Sequence, residues 1–143
     1  MGNYDFDRSL VLRPIGYVER DKADEELRGP ELRGQPARIV MDPQVRDALL
    51  GLEAGSDVLV LCYFHRSDRD VLQVHPMGDT ESPLRGVFAT RSPARPNPIA
   101  VTSARIEGME EDVLRVVGLD ALDGTPVVDI KSVAEAFDTP VEA

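Results

Sequence analysis

Residues 57–64 read DVLVLCYF, a nearly continuous apolar run rich in β-branched side chains. The run has strand length rather than helix length, so it predicts a buried central strand. The remaining apolar segments are just as short. Strands are expected at 9–19, 37–41, 71–75, 86–90, 99–106, 113–119 and 126–130, with Pro14 marking an edge position or bulge in the first. Asp42-Pro43 reads as an N-cap followed by proline at the first helical position. Val45, Leu49 and Leu52 continue at helical spacing, and Gly51 or Gly55 would end that helix. Residues 20–36 are charged and carry Gly29, Pro30, Gly34 and Pro36, which predicts a loop. Many short strands with one or two short helices predict a mostly β fold, a small, largely antiparallel β-barrel. Strand–helix alternation is absent, and no G-x-G occurs among the eleven glycines. Both observations argue against a doubly wound fold with a Rossmann nucleotide site. With no repeat, low-complexity tract or linker, residues 1–143 are expected to form one domain. Its core spans about 9–131, and residues 132–143 form a short tail.

Aromatic residues make up only 5% of the chain against 42% hydrophobic, so aliphatic side chains must fill the barrel. The single cysteine, Cys62, excludes an internal disulfide and fits a reducing compartment. No apolar run approaches bilayer length, and the first residues hold no apolar stretch of signal-peptide length. A cytoplasmic protein without membrane contact is expected. The net charge of −10 opposes long-range attraction to nucleic acid. Yet residues 84–106 hold Arg85, Arg91, Arg95 and Arg105 and no acid. Because fields fade over roughly 8 Å at physiological salt, a local basic patch can act despite an acidic far side.

Three segments concentrate polar chemistry. In RGVFATRSPARPNPI, residues 85–99, three prolines stiffen a loop of polar residues. Arg91 and Arg95 offer planar forks for carboxylate or phosphate, while Ser92 and Asn97 can bond a heterocycle or the loop's own backbone. A rigid turn with solvated arginines is the competing reading. In LDALDGTPVVDIK, residues 119–131, Asp123-Gly124 signals a turn. That segment reads either as a plain hairpin or as a tip presenting backbone N–H groups and the Thr125 hydroxyl to a ligand. Asp129 and Lys131 share one strand face. In Tyr63-Phe-His-Arg66, His65 and Arg66 emerge where the buried strand ends. A structural histidine is the competing reading there. Cys62-x-x-His65 with distant His75 lacks a fourth zinc ligand at a recognisable spacing, so no metal is expected. No G-x-S-x-G elbow or Ser–His–Asp spacing points to a hydrolase.

GVFATRSPARPNPI resembles the signature of the TsaA-like family, and LDALDGTPVVDIK is similar to its second signature. Weaker similarity at 14–19, 34–36, 51–53 and 64–65 extends the resemblance over most of 13–131. The resemblance implies a single-barrel methyltransferase using S-adenosylmethionine. Bacterial members of the family N6-methylate threonylcarbamoyladenosine beside the anticodon of some threonine tRNAs. It also implies a cofactor site formed by Gln35, His65, Arg66, Arg91, Arg95, Leu122, Asp123, Gly124 and Thr125. Ser92, Asn97 and Lys131 are assigned to the substrate side, and a homodimer is expected to complete the site.

This chain departs from the family pattern in four places. It reads Arg33-Gly34-Gln35-Pro36 where relatives read P-R-Q. Ala100 stands at a common glycine position, and Ser132-Val133 replaces P-Y. Larger relatives also carry a further C-terminal domain. The family implies direct methyl transfer without a nucleophilic side chain. By chemistry Asp120, Asp123, Asp129 and His65 are candidate bases. A cofactor-binding module without catalysis, and a methyltransferase acting on a small molecule, are the alternatives.

Overall fold

The computed structural model describes residues 2, 4–6 and 9–142. Six antiparallel strands close a barrel in the order β1-β2-β7-β6-β3-β8. The strands are β1 (Gly16–Glu19), β2 (Ala37–Met41), β3 (Asp57–Tyr63), β6 (Ile99–Glu110), β7 (Val113–Val117) and β8 (Pro126–Ser132). Two further two-residue strands, β4 (Gln73–Val74) and β5 (Arg85–Gly86), form a separate ribbon within the long excursion between β3 and β6. The helices are short: α1 (Gly29–Arg33) and α2 (Glu135–Asp138), with 3-10 turns at Lys22–Asp24, Pro43–Leu49, Pro76–Gly78 and Val87–Ala89.

Period-two alternation fills the barrel. Val58, Val60 and Cys62 of β3 point inward, as do Ala37, Ile39 and Met41 of β2, Leu114 and Val116 of β7, and Val127 of β8. The interior is aliphatic, as the scarcity of aromatics requires. Each fully buried Val, Leu or Ile contributes about 1.5–3 kcal/mol relative to exposure. β3 lies between β6 and β8 as the central strand the sequence predicts, although its outward residues Leu59, Leu61 and Tyr63 are only half-buried. Gly16 is required by close approach, because a Cβ there would lie 2.8 Å from the Val40 carbonyl.

Several boundaries differ from the sequence reading. The first strand begins at Gly16, not residue 9; Ile15 leads into it through bonds to the Val127 carbonyl and the Asp42 N–H, both 2.8 Å, while Pro14 has no N–H to give the ladder. The expected helix after Asp42 is a 3-10 helix, with Asp42 accepting from the Gln44 N–H at 2.9 Å as its cap. Residues 86–90 turn as a 3-10 segment after only two residues of strand, and 71–75 shortens to Gln73–Val74. The charged stretch 20–36 contains α1. Strand β6 runs on to Glu110, past the expected end at 106, through a bulge between Ile106 and Gly108.

Candidate functional site

At one mouth of the barrel β1, β3 and β7 end while β2, β6 and β8 begin. There β6 outruns β7. Its ladder with β3 starts at Ile99, but its ladder with β7 starts only at Arg105. Residues 99–104 therefore carry one unpaired edge. A cleft of about 1150 Å³ lies along this edge, floored by Ile99–Ser103. An open strand edge presents main-chain donors and acceptors to whatever lies beside it. Arg91 occupies part of it, reaching the Val101 carbonyl at 3.4 Å.

One wall of the cleft is α1 with the segment 119–125. The Leu122–Thr125 turn closes with a Thr125 N–H bond to the Leu122 carbonyl at 3.2 Å, and Gly124 takes φ +84°, a left-handed conformation suited to glycine. The Thr125 hydroxyl donates to the same Leu122 carbonyl at 2.7 Å. Behind this wall lies Arg20, only 7% exposed. Its guanidinium donates to the carbonyls of Ala121 (2.6 Å), Leu119 (2.5 Å), Leu32 and Gln35 (both 3.4 Å). Its backbone N–H donates to Asp123 Oδ1 at 2.8 Å. Burial lowers the Arg20 pKa, against which Asp24 and Asp120 act in the opposite direction. An arginine nevertheless stays charged at any working pH.

The opposite wall is the proline-rich loop and the end of β3. Here Arg95 is a staple rather than a free fork. Its terminal nitrogens donate to the carbonyls of Val87 (2.6 Å), Ser92 (3.1 Å) and Thr90 (3.2 and 3.3 Å). Arg69 ties the same loop from outside through the Pro96 carbonyl (2.8 Å) and Asn97 Oδ1 (3.0 Å). Arg91 and Arg66 are exposed on the cleft. Facing them, Arg28 and Arg33 line the cleft from the α1 side. Among the described residues, five arginines and three aspartates (Asp120, Asp123 and Asp138) thus line the cleft of a chain with net charge −10.

The family model of the tRNA-methyltransferase O N-terminal domain, TrmO_N, matches residues 23–139. The chain belongs to this family. It is 40% identical over 138 residues to a probable S-adenosyl-L-methionine-binding protein of Pyrococcus horikoshii, covering 94% of this chain and 90% of that protein. A similarly named protein of Methanothermobacter thermautotrophicus is 40% identical over 136 residues, covering 93% of this chain and 96% of the relative. Crystal structures of TrmO from Pseudomonas aeruginosa superpose with TM-scores of 0.68 at 34% and 33% identity. They cover 97% and 94% of this chain but only 62% and 60% of the TrmO chains, so this chain spans about three fifths of their length.

Both TrmO-family signatures meet at the cleft. His65, Arg66, Arg91, Ser92, Arg95, Leu122, Asp123 and Thr125 line it, with Gly124 inside the turn that shapes it. The other expected residues lie elsewhere. Gln35 contributes its carbonyl to Arg20 from behind α1. Asn97 turns to Arg69, and Lys131 pairs with Asp129 at 2.9 Å outside the cleft. Of the four arginines in 84–106, Arg105 pairs with Asp57 and Arg85 is off the cleft, leaving Arg91 and Arg95. Cys62 is buried in the barrel, where desolvation pushes its thiol up to about 12, and His75 bonds the Ser82 carbonyl through Nδ1 at 2.8 Å. Neither Arg20 nor Asp138 stands out in the sequence. The only signal at Arg20 is a charge directly after an alternating strand, where the next inward position falls.

Proposed function

We propose that this chain is an S-adenosylmethionine-dependent tRNA methyltransferase that N6-methylates threonylcarbamoyladenosine. The observation that carries the reading is the cleft itself, in which the two family signatures face each other and arginines stand on both walls. The donor set suits the cofactor. Arg66 and Arg91 can hold a carboxylate, Asp120 and Asp123 offer anionic partners to an ammonium or sulfonium, and Leu122, Phe64 and Phe88 offer apolar surface. When bound, the cofactor supplies an activated methyl group on a sulfonium that departs as a thioether.

The protein's own task is alignment and exclusion of water. Arg28 and Arg33, opposite the cofactor arginines, suit substrate phosphate, so the charge needed for RNA is local although the chain as a whole is acidic. Phe88, 83% exposed beside the cleft, offers a face on which an unstacked base can lie. Among the candidate bases, Asp120, Asp123 and His65 line the cleft and Asp129 does not. We assign the homodimer to this reading as well. The tail leaves Phe137 and Val141 more than 89% exposed, and α2 places Asp138 on the cleft. Sedimentation at micromolar concentration is expected to show a dimer, weakened by deletion of residues 134–143.

The deciding experiment is mass spectrometry of nucleosides from threonine tRNAs of cells with and without the gene. The N6-methylated form should disappear with the gene, and its persistence would sink the tRNA reading. A second reading, a binding module without catalysis, draws on relatives named only as S-adenosyl-L-methionine-binding proteins. It predicts cofactor heat in calorimetry, near one ligand per chain, with no methylated tRNA.

A further inference from the structure

We infer that Arg20 is a positioning residue that holds the cleft wall in its ligand-ready shape, an inference that rests on the S-adenosylmethionine reading above. Arg20 does not itself line the cleft, but the groups it binds do. Leu32, Ala121 and Asp123 line the cleft, and the carbonyls of Leu119 and Ala121 flank Asp120, which also lines it. One side chain therefore gathers three stretches of chain far apart in sequence: the end of β1, the α1 loop and the segment leading into β8.

The chemistry explains why this position takes arginine. A guanidinium presents five N–H donors in a fixed plane. Here they serve carbonyls at residues 32, 35, 119 and 121, none of which a strand ladder satisfies in this place. A buried charge is tolerated when hydrogen bonds surround it. Remove the guanidinium and these carbonyls lose their common partner. The α1 loop and 119–123 then stay joined mainly by the Arg33–Gly118 pair, in which Arg33 Nε donates to the Gly118 carbonyl at 2.8 Å and the Gly118 N–H donates to the Arg33 carbonyl at 3.0 Å. The ladders of β1 run over Gly16–Glu19 and stop before Arg20, so loosening should stay in the wall.

The test compares the full chain with its Arg20→Lys and Arg20→Met variants. Lysine keeps the charge and reaches fewer carbonyls, whereas methionine keeps only bulk. S-Adenosylmethionine affinity measured by calorimetry should fall about tenfold in Arg20→Lys and further in Arg20→Met, as expected when hydrogen bonds to a charged group are lost. Amide exchange should speed up at 28–36 and 119–125 while 57–63 and 99–106 keep wild-type protection. Saturating cofactor should restore part of the lost protection in Arg20→Lys. Wild-type affinity and exchange in Arg20→Lys would overturn the inference. So would loss of protection across the whole barrel, since Arg20 would then be a fold residue only. A wild-type chain that binds no cofactor would reject the functional reading instead. The exchange pattern would still judge Arg20: loosening confined to the wall upholds its positioning role, and no loosening refutes it.

Discussion

The two walls of the cleft are held by the same device in different surroundings. On the α1 side, a buried arginine at the end of β1 bonds carbonyls from two other, separate parts of the chain. On the loop side, Arg95 is part-buried and bonds carbonyls within eight residues of itself, while Arg69 works from the exposed surface. Neither wall is built of regular sheet. The difference is one of range: Arg20 closes long loops and fixes how distant segments meet, whereas Arg95 and the prolines set the shape of one segment. Loss of the first device should alter the relation between segments, and loss of the second should alter a single loop.

The largest expected effect removes the scaffold both walls share. Leu114→Ala opens a cavity in the barrel interior and should cost about 2–5 kcal/mol in denaturant unfolding. Both walls would then fail together, and a variant that kept full stability would show that the core around Leu114 is not tightly packed. Next, Arg95→Met removes the guanidinium shared by the Val87, Thr90 and Ser92 carbonyls, leaving Val87 only its bonds from Thr90. Cofactor affinity should drop about tenfold, with a smaller change in the unfolding midpoint than Leu114→Ala gives. Equal affinity would mean that the prolines and Arg69 hold the loop without Arg95.

Arg91→Lys sharpens the contrast within that loop. Arg91 makes one long bond to the Val101 carbonyl, so the loop's shape should survive the change. The planar fork is lost while the charge remains, and affinity should fall about tenfold if Arg91 grips a carboxylate or phosphate. Affinity equal to wild type would return Arg91 to a solvated side chain.

The smallest effect lies on the far surface. Arg46 holds the Asp112 carboxyl below the usual range through two bonds of 2.7 and 2.8 Å. Its folded pKa lies below the unfolded one, so the pair's contribution is present above the ordinary carboxylate range and vanishes as pH falls through the lowered value. Asp112→Asn should shift the unfolding midpoint slightly at neutral pH, and that difference should close in acid below about pH 4 and in high salt. A difference that persists in acid would assign the effect to something other than this ion pair. Neither cleft wall should respond.

The barrel was legible because inward and outward residues alternate with so few interruptions: β2, β3, β7 and β8 fall close to the segments read from pattern. The boundaries at 9–19 and 86–90 differ from the pattern because much of the apolar content there does not form a ladder. Pro14 precedes the first pairing, and Val87 is buried by a turn. At the site, the signature residues do converge, since two long motifs demand it. Asn97 and Lys131, expected on the substrate side, bond Arg69 and Asp129 instead of lining the cleft, and sequence pattern does not reveal such partners. Arg20 is not legible in the sequence because its partners are main-chain carbonyls of other segments, the two shortest bonds going to residues about a hundred positions away, which no local pattern records.

The barrel closes by pairing Gly16 with Val127 and Tyr17 with Pro126. The earliest strand thus waits for the latest, and the ring cannot shut during synthesis until residues 126–132 have emerged. Contacts of such long sequence separation slow folding, because a large loop must be gathered before any bond rewards it. The Arg20 wall joins the end of β1 to residues 119–123, just ahead of β8. In the order of assembly, ligand competence would therefore arrive last, and a nascent chain stalled short of β8 would hold most of its apolar core yet present no complete cleft.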